Sequence, residues 1–203
     1  IQDDDLQALN STQLQAITQE SIGALTADSL NGLTSDKLAS LSSIQIAALK
    51  TNQISSLDTS KLQSITRLQI EALSAAQFNS LNTAQISNLL TSQISAISGM
   101  KISGFGSTAI NALTSTQFQA LNTKAVGALT TGQLNNLQLE DVKSLTSAQL
   151  ASLSGSQIGA FSATQLENLQ TLQLRALTAN QLSNLSSTKL NALSSTQFQS
   201  LTT

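Results

Sequence analysis

Leu113-Thr114-Ser115-Thr116-Gln117-Phe118-Gln119-Ala120-Leu121 is the stretch on which the reading of this chain turns. Thr114 belongs to the residue types that accept the free N–H groups of a first helical turn. Gln117, three positions on, completes the spacing of a capping box, in which each partner's side chain accepts the other's backbone N–H. Leu113 before the cap and Phe118 at the fourth helical position occupy the two places of a hydrophobic staple. The segment predicts one short capped helix, and Leu121 begins the same statement again.

Stepping by eight in both directions shows that the statement fills the chain. From Leu6 to Phe198 all 25 positions at that step are Leu, Ile, Val or Phe. From Leu9 to Leu201 all 25 are Leu, Ile or Phe, 20 of them Leu, so the register never slips. The column before the first apolar one is Gln in 15 of 25 octads, and the column after the second is Ser, Thr, Asn or Asp in 20 of 25, as at Asn10, Thr18, Thr26, Thr34, Ser42 and Asp58. The residue just before the second apolar column is small in the opening octads: Ala8, Ala16, Ala24, Gly32, Ser40 and Ala48.

An eight-residue period restricts the backbone. One continuous helix advances about 100° per residue, so its apolar stripe would circle the axis instead of facing a fixed partner. In a strand, columns three apart point to opposite faces, and both faces would need cover at every octad. Leu, Gln and Ala also favour helix over strand. The expectation is an all-α solenoid of about 25 short capped helices, each of five to seven residues, with a β-solenoid as the alternative.

A single octad cannot fold alone. Burying two aliphatic side chains contributes about 3–6 kcal/mol, whereas fixing eight backbones costs about 8–16 kcal/mol. Stacked identical units must cover one another's apolar faces, which is the logic of repeat proteins. The expected arrangement is two octads per turn, with two layers of helices around a thin Leu/Ile core and the small column allowing close approach. The Gln and cap columns show no 16- or 24-residue alternation that would decide the number. Residues 1–203 read as one repeat unit array, and the lack of distinct capping sequences reads as an excerpt of a longer one.

Composition narrows function. The chain has no Cys, His, Trp, Tyr or Pro, which leaves no disulfide, no Cys/His metal site and no thiolate or imidazole catalyst. Charged residues are 10% of the chain, while 55 Ser/Thr and 38 Asn/Gln make nearly half of it uncharged and polar. A net charge of −2 with nine scattered Lys/Arg gives no concentrated basic surface for nucleic acid, and no apolar run reaches the ~20 residues of a membrane helix.

Candidate chemistry is sparse. Asp3-Asp4-Asp5 lacks the Gly turn and ligand spacing of a Ca²⁺ loop and reads as a solvated helix start. Glu140-Asp141 are neighbours that do not face one another on a short helix, and read as surface residues. Asn10-Ser11-Thr12 and Asn184-Leu185-Ser186 match glycosylation sequons that arise by chance in such a composition. Residues 98–107 hold three of nine glycines and Phe105 in place of Leu, a drifted octad or a hinge. Ile44, Leu68, Leu90, Leu139 and Leu172 add apolar groups at columns expected to face water. No catalytic, cofactor-binding or metal residue is assigned, and an enzyme is not expected.

Laid out as octads, Ala112-Leu113-Thr114-Ser115-Thr116-Gln117-Phe118-Gln119-Ala120-Leu121 and Ser144-Leu145-Thr146-Ser147-Ala148-Gln149-Leu150-Ala151-Ser152-Leu153 resemble the A-L-T-T-x-Q-I octapeptide arrays of very large, repetitive, adhesin-like surface or secreted proteins of Gram-negative bacteria. The resemblance covers essentially the whole chain and is specific for the repeat type. It implies an extracellular or cell-surface location and a structural part in a fibre, stalk or filament that self-associates or extends an adhesin. The alternative is a repetitive Ser/Thr surface that binds an ordered ligand, ice or polysaccharide, as the doublets Thr130-Thr131 and Thr202-Thr203 suggest. Against it, the paired columns mix Ser, Thr, Asn, Gly, Ala and Lys50. An intracellular helical scaffold is weaker, since no groove with distinctive aromatics or charges is evident. Partners are therefore expected to be other copies of the chain, or surface polysaccharide, with no nucleic acid.

Overall fold

The structure, a computed structural model, describes residues 3–201, with side chains from Asp5 onward. Thr202-Thr203 and the side chains of Asp3 and Asp4 lie outside what is described. The described residues form 25 α-helices of four to six residues and no strand, one helix per octad, from α1 (Asp3–Ala8) to α25 (Ser195–Ser200). The β-solenoid is thereby set aside.

Each helix begins where the cap column places it. Twelve octads close the full reciprocal capping box, at Asn10, Ser42, Thr66, Ser74, Asn82, Thr114, Thr130, Thr146, Ser154, Ser162, Thr178 and Ser194. At Lys50, Leu90 and Gln170 no side chain caps the helix, yet the Gln three residues on still accepts the cap residue's N–H at 2.7–2.8 Å. Seven helices end at an extended residue of the second apolar column, as at Leu33 (φ −63°, ψ 144°) and Leu121 (φ −60°, ψ 133°), and most others end on a residue of helical φ and ψ, as at Ala16 (φ −78°, ψ −12°). The following cap is also extended, as at Thr114 (φ −72°, ψ 159°). At those seven corners two extended residues turn the chain.

The number of octads per turn differs from the expectation of two. The first turn comprises α1, α2 (Ser11–Gln15) and α3 (Gln19–Gly23). α4 (Ala27–Gly32) then packs on α1, α5 (Ser35–Ser40) on α2, and α6 (Ser43–Ala47) on α3. Three octads, or 24 residues, complete a turn, and 25 helices make eight turns and one helix. Corner chemistry accounts for the correction. Two octads per turn require the chain to reverse fully at every corner, which tight helix ends achieve with a left-handed residue, usually Gly. No residue with positive φ, glycine included, exists among the described residues. Corners without a left-handed residue bend the path by less, and three of them close it.

The interior is a single column of side chains. Leu6, Leu14, Ile22 and Leu30 are fully buried, as are Phe118 and Phe161, and the second apolar column lines the same core from Leu25 through Leu193. Cover thins at the ends of the stack: Leu9 and Ile17 are partly buried in the first turn, and Phe198 is 49% exposed in the last. Near residues 98–107 the stack is offset. α14 (Ser107–Ile110) touches both α10 (Ala75–Asn79) and α11 (Thr83–Ser87), and the Phe105 ring stacks on Phe78 with centroids 4.0 Å apart and planes 3° from parallel. Two of the three glycines there, Gly99 and Gly104, lie in close contact with another turn. A Cβ on Gly99 meets the Ala128 Cβ at 2.8 Å and the Lys124 carbonyl at 2.9 Å, and one on Gly104 meets the Ala75 Cβ at 2.9 Å. They are the places where one turn touches the next.

Candidate functional site

The most elaborate polar construction in the molecule is the Gln column, which sequence reasoning assigned only to capping. Thirteen of these glutamines are nearly inaccessible, from Gln45 to Gln197, with exposures of 2–9%. While Oε1 accepts the N–H of its own cap residue, Nε2 reaches to the turn beneath. Gln117 donates to the carbonyls of Ile86 at 2.9 Å, Ser87 at 3.3 Å and Leu89 at 2.6 Å. Fourteen glutamines donate to the carbonyl 28 residues back, at 2.5–2.9 Å. One amide group thus satisfies the start of its own helix and the end of a helix in the preceding turn, where bare carbonyls would otherwise be buried without partners.

The exceptions keep the donor. Lys37, Lys61, Lys101 and Lys189 occupy Gln positions and send Nζ to the carbonyls of Gln7, Leu33, Leu73 and Gly159. Where Ala125 stands in the column, the cap residue Asn122 turns its own Nδ2 to Ser95 and Ile97, the carbonyls 30 and 28 residues before Ala125. The acceptor half is replaced too. The cap N–H groups of Asp58, Ser98 and Gly106, whose octads lack the Gln, are accepted by Asn31, Glu71 and Asn79 from 27 residues earlier.

Asp141 corrects the reading of Glu140-Asp141 as a surface pair. Glu140 is exposed and pairs with Lys143 at 3.0 Å. Asp141 stands in the Gln column of α18 (Leu139–Ser144), is 4% exposed, and its Oδ2 has no hydrogen-bond partner. Burial first, and the neighbouring Glu140 charge second, push its carboxyl up from the ordinary range to about 6. The eight-residue pattern marks 141 as a Gln position, so its burial was available from the column once the column is known to face inward.

The other singled-out residues stay apart. Asp5 is exposed on α1. Asn10 is occupied as a cap, accepting the Gln13 N–H at 2.9 Å. Asn184 donates to Asn180 and packs against Gly155. No group of three or more His, Cys, Asp or Glu that could hold a metal ion exists among the described residues, and no helix among them is long and apolar enough to cross a membrane.

The outer faces follow from the 24-residue turn. Ile44, on α6, and Leu68, on α9 (Arg67–Ala72), are 24 residues apart and stack on one side at 62% and 76% exposure. Leu90, the cap residue of α12 (Thr91–Ile94) one turn further, continues the apolar strip at 46%. Leu172 and Met100 are exposed on another side, and Leu139 is half-buried. On the third side Ser11, Ser35, Thr59, Thr83, Ser107 and Thr131 recur at 24-residue intervals, each the first residue of its helix.

Comparison with known sequences agrees with this picture. No curated protein matches the chain. A model of the ALTTAQ repeat family matches residues 166–203, and the octad register of that segment runs unbroken back to Leu6.

Proposed function

We propose that the chain is a structural, non-catalytic rod segment of an extracellular fibre, stalk or filament, which extends an adhesive part or associates with further copies of itself. The observation that carries this reading is the ladder of turn-to-turn side-chain bonds, made by Gln at fourteen positions and by Lys or Asn at five more. It devotes the chain's most regular polar side chains to holding one turn on the next, and leaves the outside without assembled chemistry. At the 8–10 Å spacing of packed helices, eight turns make a rod roughly 70 Å long. The chain has 20 charged residues in 203 with nearly balanced signs, which favours association. The strip of Ile44, Leu68 and Leu90 gives lateral contact an apolar starting point.

Electron microscopy and light scattering of the folded chain, across concentration and ionic strength, test the proposal. Thin rods that stack or bundle with little salt dependence support it, because few ion pairs are available to screen. Compact globules contradict the rod, and dispersed single rods at high concentration reduce the role to a spacer.

A second reading has one observation in its favour. The hydroxyl column from Ser11 to Thr131 spans six successive turns on one side, before Gly155 and Ala179 interrupt it. Such a row suits an ordered polyhydroxylated ligand. Binding to immobilised polysaccharide, or thermal hysteresis in ice, that is lost in a Thr59→Val, Thr83→Val double variant favours this reading over the rod alone.

A further inference from the structure

The Gln column from Lys37, in the fifth octad, onward always has a turn beneath it. At each of these positions a donor reaches that turn, from Gln, from Lys, or from Asn122 in place of Ala125, with two exceptions among the described residues. Ala109 carries no polar atom. Asp141 carries two oxygens and no obligatory hydrogen. By the spacing that Gln117 and its equivalents obey, the carbonyls in register with position 141 are those of Ile110 and Leu113, 31 and 28 residues back, and neither receives a side-chain donor among the described residues. Asn111, between them, also leaves its Oδ1 buried without a partner, although its Nδ2 donates to Asn136 at 2.9 Å. A carboxylate placed among acceptors is repelled, whereas a carboxyl O–H supplies the hydrogen that Gln supplies elsewhere.

We propose that Asp141 carries a proton in the closed rod, and that the seam between α15 (Ser115–Ala120) and α18 is a pH-sensitive break point, closed in mildly acidic medium and loosened when the proton leaves. The charged surroundings permit this. On its own helix lie Glu140, which disfavours a second negative charge, and Lys143, which is engaged by Glu140. α15, the helix beneath, has no titratable residue. Above, α21 (Ala163–Glu167) brings only Glu167, and α22 (Thr171–Arg175) only Arg175. The carboxyl shift has just two causes, burial and Glu140, so no cation offsets the buried charge. In a stack where each turn touches only its neighbours, weakening one interface opens the rod locally.

The sign follows from linkage. An acid at about 6 in the fold and near 3.8 when unfolded stabilises the fold fully below about pH 4. That contribution drains as pH rises to 6, and is absent above. The test uses the full chain, comparing thermal unfolding and amide exchange at α15 and α18 from pH 4 to 8 for wild type, Asp141→Asn, Asp141→Gln and the exposed control Asp36→Asn. Relative to Asp141→Asn, the wild-type opening constant should rise about thirtyfold between pH 4 and 6 and level off near sixtyfold by pH 8, at up to tenfold per pH unit for one proton. Asp36→Asn should follow wild type, and Asp141→Gln should exceed wild-type stability at pH 7. Parallel pH profiles for wild type and Asp141→Asn overturn the proposal. So does a carboxyl carbon resonance of Asp141 titrating near 4 in the wild-type protein, a measurement that decides the matter even if a variant fails to fold.

Discussion

The side-chain amide of Gln117 donates to the carbonyl oxygen of Leu89 across 2.6 Å, joining residues 28 positions apart. The same side chain accepts the Thr114 N–H at 2.8 Å, so a single residue is both helix cap and cross-link between turns.

Removing that residue should therefore cost more than removing its capping partner. Thr114→Ala is expected to lose about 0.5–2 kcal/mol, the usual effect of a lost cap. Gln117→Ala leaves the Thr114 N–H and the buried Leu89 carbonyl without their partner and should lose roughly 2–5 kcal/mol, since each such group costs about 1–3 kcal/mol. Gln117→Lys should fall between wild type and Ala, because Lys61 and Lys101 show that an ammonium reaches the same carbonyls. Urea unfolding of the three variants checks the order; equal losses for Thr114→Ala and Gln117→Ala contradict it.

The core column makes a second prediction. Leu113 is 5% exposed, and truncation to Ala should cost roughly 2–5 kcal/mol. Phe198→Ala, at 49% exposure in the last turn, should cost distinctly less than Phe118→Ala, which empties a fully buried site. Thermal melts of the pair measure the difference.

Glycines separate by what surrounds them. Gly99→Ala puts a methyl 2.8 Å from the Ala128 Cβ and 2.9 Å from a backbone carbonyl, and should destabilise by about 1–3 kcal/mol through overpacking. Gly132→Ala meets nothing closer than the Thr130 hydroxyl at 3.9 Å, and should stabilise by up to about 1 kcal/mol through helix propensity. Opposite signs in the two melting shifts are the expected result.

For association, the apolar strip is the element to alter. Ile44→Glu with Leu68→Glu should change folding stability little, within about 0.5 kcal/mol per exposed site, while reducing lateral bundling seen by light scattering. Unchanged scattering removes this strip as the lateral contact.

By itself the sequence determined everything that closes within an octad. Helix starts, the staple, both apolar columns and the all-helical class were legible, because Thr114, Gln117, Leu113 and Phe118 meet inside a few residues whatever the rest of the chain does. Tertiary structure decided what needs the length of a turn: three octads instead of two, the carbonyls that Gln117 reaches on the preceding turn, the alignment of Ile44 with Leu68, and the burial of Asp141. No 24-residue signal appeared in the Gln and cap columns because the three helices of a turn do the same work, so the octad pattern has no reason to mark which side it lies on. The distance of 28 residues between Gln117 and Leu89 is set by how far each corner bends the chain, a property of backbone geometry summed over three octads that no single octad records.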